Sequence, residues 1–188
     1  MRGEVLFNKL RPLIYLIIAI WVVEGLNQLL GHSLNQSFGL VPRSTGGLPG
    51  IATMPFLHGG VAHAMANTVP LVILGITALL VAPQRFWLAT ILIVLTTGLA
   101  VWLVARPGTV HVGASGLVFG WFGFVIALGL IERSLRAIAG AALVFVLYGS
   151  MIWGVLPSDG VKISWEAHLF GALAGALIAW TLREKRRR

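Results

Sequence analysis

The 188 residues are 57% hydrophobic and only 11% charged, with a mean hydropathy of +0.90. A soluble domain averages roughly 25% charged residues, so this chain has too little polar surface to cover a globule in water and is expected in a membrane. Cysteine is absent, which excludes a disulfide framework, thiolate metal sites and a cysteine nucleophile. The net charge of +8 lies in short clusters beside apolar runs, which suits a bilayer and argues against a nucleic-acid partner.

A spanning helix needs about 20 mostly apolar residues. The first such run, 12–30, follows Arg2, Lys9 and Arg11 and lacks a small-residue cleavage motif, so it is expected to stay as an anchor. It contains Glu24, with Asn27 on the same face, and Glu24 is read as a structural hydrogen-bonding group. A long Gly/Pro/Ser loop from Gly31 to Pro55 leads to the second run, 56–81, and Pro83-Gln84-Arg85 turns the chain into the third, 86–104. Arg106-Pro107-Gly108 precedes the fourth, 114–131. A charged connector with Glu132 and Arg133 precedes the fifth, 136–155, and Pro157-Ser158-Asp159-Gly160 precedes the sixth, 163–182. The expectation is an all-α integral membrane protein, one six-span domain over 1–188 with short basic tails.

Orientation follows from the basic residues. Arg2, Lys9, Arg11, Arg85, Arg133, Arg136, Arg183, Lys185, Arg186, Arg187 and Arg188 fall on one side, against Arg43, Arg106 and Lys162 on the other. The richer side is cytoplasmic by the positive-inside rule, so both termini are expected in the cytoplasm. The second, fourth and sixth spans then all begin at the outer face, and those three starts hold the suspicious polar residues.

The fourth span opens Gly113-Ala114-Ser115-Gly116, with Gly120 and Gly123 beyond. Alone this reads as a small-residue packing face. The sixth opens Trp165-Glu166-Ala167-His168, followed by Gly171 and Gly175. A histidine inside a span is costly and points to function, although one bonded to a neighbouring helix is the plainer reading. The Gly116/Gly120 and Gly171/Gly175 faces would let these two spans touch backbone to backbone, bringing Ser115 and His168 together. The second span opens His58-Gly59-Gly60 and carries His63 and Asn67 one turn apart on one face. With no HExxH, no carboxylate ligand nearby and no cysteine, these residues do not read as a metal site, and no cofactor is expected. They suit an acyl-transfer site: Ser115 as nucleophile, His168 as general base, and His63, Asn67 and the backbone N–H of Ser115 as oxyanion donors. Glu166, two residues from His168, lies on the wrong side of the helix to orient that ring, so a Ser–His dyad is expected.

These motifs, in this order and at three same-side helix starts, resemble the rhomboid family of intramembrane serine proteases over residues 53 to 182. The resemblance implies a six-span bundle with a water-filled cavity, and cleavage of single-span or multi-span membrane protein substrates near the outer face. Substrates would reach the cavity laterally past the fifth span, under a cap at 157–162. It assigns Ser115 and His168 as the dyad, His63 and Asn67 to the oxyanion, and His58, Gly113, Gly116, Phe119 and Gly171 to support. Two departures stand out. Phe119 holds a position where the family often has Tyr against the base histidine. Leu48-Pro49-Gly50-Ile51 stands where many members have a Trp-Arg pair, so the first loop, with Leu34, Phe38, Leu40, Leu48 and Ile51, must be anchored differently. The alternatives are a catalytically silent relative that binds transmembrane helices, and a small transporter or channel. A prokaryotic plasma membrane is the expected location.

Overall fold

The computed structural model describes residues 2–157 and 164–184. Among these the architecture is helical, and the only β feature is an isolated antiparallel bridge between Leu40 and His111. In chain order the helices are α1 (Arg2–Leu29), the short α2 (Ser33–Phe38) and α3 (Gly50–Thr53), α4 (Val61–Val81), α5 (Phe86–Val104), α6 (Ser115–Glu132), α7 (Leu135–Tyr148) and α8 (Trp165–Thr181). Among the described residues, five segments are long and apolar enough to cross a membrane: Leu10–Leu29, Val61–Val81, Phe86–Val104, Ser115–Glu132 and Leu135–Val155. The expected sixth span corresponds to α8, a 17-residue helix packed on α6 and α5.

The helix faces sort by environment. On α1, Leu13, Ile20, Glu24 and Asn27 are buried, while Tyr15, Ile18, Val22 and Leu26 on the other side are exposed and apolar. That is the pattern of a helix with one face on the bundle and one on lipid. α6 occupies the centre, contacted by α4, α5, α7 and α8, with Trp121, Phe124 and Leu128 fully buried. The Trp121 indole N–H donates to Thr90 Oγ1 at 3.1 Å, giving a buried donor the acceptor it needs.

The glycine faces of α6 and α8 meet as expected. A Cβ on Gly171 would collide with the carbonyl oxygen of Gly116, and one on Gly175 with that of Gly120. Only glycine permits that approach, and it sets how closely α6 and α8 pack. At the far end of α6, Arg85 is ion-paired with Glu132 and donates to the Leu182 carbonyl at 3.0 Å, while the Glu184 N–H donates to Glu132 at 2.9 Å. Arg85 thus ties three helices rather than standing as a solvated connector charge.

Two elements differ from expectation. The stretch read as one fifth-span helix ends as α-helix at Tyr148 and continues as a 3₁₀ turn, Gly149–Val155. The first loop is built of short helical turns and is strapped to the end of α5. Arg43 donates to the carbonyls of Leu103 (3.1 Å) and Ala105 (2.9 Å), and the Trp102 indole donates to the Ser44 carbonyl at 2.9 Å. Leu40 and Met54 are buried there with Val101, Ala105 and Ala167, whereas Phe38 and Leu48 are exposed. Arg43 and Trp102 thus anchor a loop that lacks the family's Trp-Arg pair.

Glu24 also departs from its expected role. Its carboxylate is buried with neither oxygen bonded among the described residues, and Asn27 does the bonding instead. The Asn27 amide donates to Asn35 Oδ1 at 2.9 Å and to the His58 carbonyl at 3.3 Å, and Asn35 donates to the same carbonyl at 2.8 Å. α1 and the first loop therefore fix the backbone at His58.

Candidate active site

Ser115, His168, His63 and Asn67 line a single cavity of about 760 Å³ at the starts of α4, α6 and α8. Phe119 and His111 also line it, with Tyr148 and Met151 from the end of α7 and the turn beyond it. Ser115 is the first residue of α6, where the leading N–H groups have no intrahelical acceptor. The amides just before it are committed: Gly113 N–H donates to the Met54 carbonyl at 2.9 Å and Ala114 N–H to His58 Nε2 at 3.3 Å. Ser115 N–H is the first one free to serve an anion, at the positive end of the helix dipole.

Fully buried His58 thus holds the backbone leading into α6 and lies edge-on to the His63 ring, centroids 5.0 Å apart. It does not line the cavity.

The bonding partners fix the tautomers. His168 places Nδ1 2.9 Å from the Gly154 carbonyl oxygen, which can only accept, so the proton sits on Nδ1 and Nε2 carries a lone pair. The ring lies flat on Phe119, centroids 4.1 Å apart and planes inclined by 7°. His63 Nδ1 accepts the Gly59 N–H at 3.3 Å, so its proton is on Nε2. That nitrogen lies beside Gly113: a Cβ there would stand 3.0 Å from His63 Nε2 and 3.9 Å from Ser115 Oγ. Gly113 has φ +121, a conformation natural to glycine, and any side chain would fill the space between the two groups. Asn67 spends one amide hydrogen on the His63 carbonyl at 2.9 Å and keeps the other. Ser115 Oγ makes no hydrogen bond to His168, although both residues line the cavity.

Several residues around the site hold roles that the sequence alone did not show. Glu166 is buried and pairs with Arg106, whose Nε lies 2.6 Å from Oε1, tying the first turn of α8 to the loop after α5. Gly154 reaches His168 only because the helix gives way to a 3₁₀ turn. His111 sits four residues before Ser115 and bonds Ser164, the N-cap of α8, at 2.5 Å. An isolated histidine in the apolar string Val110-His111-Val112 was the available clue. The expected cap at 157–162 lies, beyond Pro157, outside the described residues.

A model of the Rhomboid domain matches residues 45–185, three quarters of the sequence and every cavity residue named above. The chain belongs to the rhomboid family. Among similar proteins are uncharacterised proteins of Mycobacterium tuberculosis and Mycobacterium bovis, each 37% identical over 179 residues, covering 92% of this chain and 74% of the relative. A third, from Mycobacterium leprae, is 36% identical over 176 residues, covering 90% of this chain and 69% of its own length. Family membership and the apolar helices together make this a multi-pass membrane protein.

Proposed function

We propose that this rhomboid protein is an intramembrane serine endopeptidase that cleaves transmembrane protein substrates with a Ser115–His168 dyad. The observation that carries the reading is the Nδ1 bond from His168 to Gly154, which leaves a bare Nε2 in the cavity that Ser115 also lines. In the proposed cycle Ser115 Oγ attacks the substrate carbonyl carbon and its proton passes to His168 Nε2. The carbonyl oxygen gains the negative charge and takes hydrogen bonds from Ser115 N–H, His63 Nε2–H and the free Asn67 N–H. The tetrahedral adduct collapses as His168 returns the proton to the leaving amine, giving an acyl-enzyme. Water, deprotonated by the same Nε2, then attacks the ester and regenerates Ser115.

The reading takes α8 as a sixth span, 1–188 as one membrane domain and both termini as cytoplasmic, which puts the cavity at the outer side. Glu166 does not extend the dyad to a triad, since its carboxylate is engaged by Arg106. Substrates are membrane proteins that reach the cavity from the bilayer. A second reading, a catalytically silent protein that binds transmembrane helices, draws on the missing Ser115–His168 hydrogen bond. In free enzymes such bonds are often long and tighten only with substrate, so the protease reading is preferred.

The test is labelling by a fluorophosphonate probe in lipid nanodiscs, comparing wild type with Ser115→Ala and His168→Ala. Labelling confined to wild type supports the dyad. Equal labelling of all three places the reactive group elsewhere, and no labelling of folded wild type favours the silent helix-binding reading.

A further inference from the structure

His111 is buried, with 3% of its surface exposed, and each of its two ring nitrogens has a hydroxyl partner. The Thr109 hydroxyl donates to the Arg106 carbonyl at 2.6 Å, so toward His111 Nε2, 2.8 Å away, it can only accept. The proton is therefore on Nε2, and Nδ1 accepts the hydroxyl proton of Ser164 at 2.5 Å. Ser164 Oγ keeps its lone pairs for the Ala167 N–H at 3.4 Å, the capping bond of α8. The His111 backbone pairs in both directions with Leu40, at 2.8 and 3.0 Å, so the first loop is part of the same knot.

The spacing gives this chain of bonds its meaning. His111 stands four residues before Ser115, and Ser164 stands four before His168, whose N–H donates to the Ser164 carbonyl at 3.2 Å. A single side-chain bond thus joins the segment that opens α6 to the residue that starts α8. The glycine contacts set how closely the two helices approach, and the Arg106–Glu166 pair holds the first turn of α8 to the loop after α5. We infer that His111 is a positioning residue that fixes the start of α8 through Ser164 and so sets the separation of Ser115 and His168. Its consequence for catalysis rests on the proposed protease activity; the placement of α8 does not.

The two nitrogens of His111 can be separated by substitution. His111→Asn puts a carboxamide oxygen near Nδ1 and keeps an acceptor for Ser164. His111→Gln puts its amide nitrogen near Nε2 and keeps only the Thr109 arm. His111→Phe keeps neither. The full chain in nanodiscs is read in two ways: the rate of fluorophosphonate labelling at Ser115, and amide exchange at Ala167 and His168 by mass spectrometry. Misplacing a reacting group by about 1 Å costs on the order of 100-fold, so Phe and Gln are expected to slow labelling roughly 10- to 100-fold. Both should speed exchange at the start of α8, while Asn stays near wild type in both readouts. Within a Ser164→Ala background, adding His111→Phe should change labelling less than about threefold, because coupled partners are non-additive. Equal defects in Asn, Gln and Phe, or effects that add to Ser164→Ala, would overturn the inference by showing a general packing role. If wild type takes no label, the protease reading fails and amide exchange alone decides whether His111 holds the start of α8.

Discussion

The rings of Phe119 and His168 lie face to face, 4.1 Å between centroids, with Gly154 closing the edge of the stack. A Cβ on Gly154 would stand 3.0 Å from Phe119 Cζ and 3.5 Å from His168 Nδ1. The imidazole is thus held by one flat wall and one hydrogen bond, and the two constraints act in different directions. The carbonyl stops rotation in the ring plane and the phenyl stops tilting out of it.

Removing the wall should therefore hurt reactivity even with the hydrogen bond intact. Phe119→Ala is expected to slow fluorophosphonate labelling about tenfold or more, a cost of misorientation rather than of lost chemistry. Phe119→Tyr keeps the ring and adds a hydroxyl at the cavity, and labelling should stay within about threefold of wild type. Wild-type labelling by the alanine variant would show that the phenyl only fills space.

The α6–α8 approach offers a test of packing with a built-in control. Gly171→Ala drives a methyl into the Gly116 carbonyl, and backbone cannot swing aside as a side chain can. Overpacking typically costs about 1–3 kcal/mol, and a clash with a carbonyl belongs at or above the upper end. Gly25→Ala in α1 meets nothing within 4 Å and should be neutral or stabilising by up to about 1 kcal/mol. Thermal unfolding in detergent distinguishes the two. Similar melting temperatures for both variants would mean the helices can separate without loss.

Much of this arrangement was legible in the sequence, and the reason is periodicity. Apolar runs marked the span-forming segments, and paired glycines four apart on two of them foretold the Gly116–Gly171 and Gly120–Gly175 contacts. What stayed hidden depended on backbone geometry or on partners distant in sequence. The Gly154 carbonyl became an acceptor only through the change from α to 3₁₀ at Gly149, which no residue type announces. The Arg106–Glu166 pair joins positions sixty residues apart, and Arg43 was counted as a loop charge although it clasps carbonyls at the end of α5. Glu24 shows the opposite failure, since composition suggested a bonding partner and the packing supplies none among the described residues.

The two proposed oxyanion donors, His63 and Asn67, should be unequal. His63 presents Nε2–H beside Gly113 from a ring that is itself held by the Gly59 N–H. Losing one preorganised donor costs roughly 100- to 1,000-fold in rate, and His63→Ala is expected in that range for labelling. Asn67 is anchored through its own amide to the His63 carbonyl, so Asn67→Ala removes a donor and also loosens the turn that carries His63. The double variant should therefore lose less than the product of the single losses. A strictly multiplicative loss would mean that the two side chains act independently.

His111 also makes a prediction about acid stability. Burial pushes its pKa below the ordinary 6.5; the nearby Glu166 carboxylate opposes this and the Arg106 guanidinium adds to it. With the folded value depressed, the unfolded chain takes up a proton at His111 before the folded protein does. Stability from this residue is thus fully present above pH 6.5 and is lost as pH falls below it, until the folded form protonates in turn. In that window the loss attributable to one histidine is at most about 1.4 kcal/mol per pH unit. Melting temperatures measured from pH 8 down to pH 5 should fall more steeply for wild type than for His111→Asn, which cannot titrate but keeps the acceptor for Ser164. Above pH 7 the two curves should run parallel, since neither form then differs in charge between folded and unfolded states at this position. Parallel curves across the whole range would mean that His111 takes up its proton as readily inside the fold as outside it.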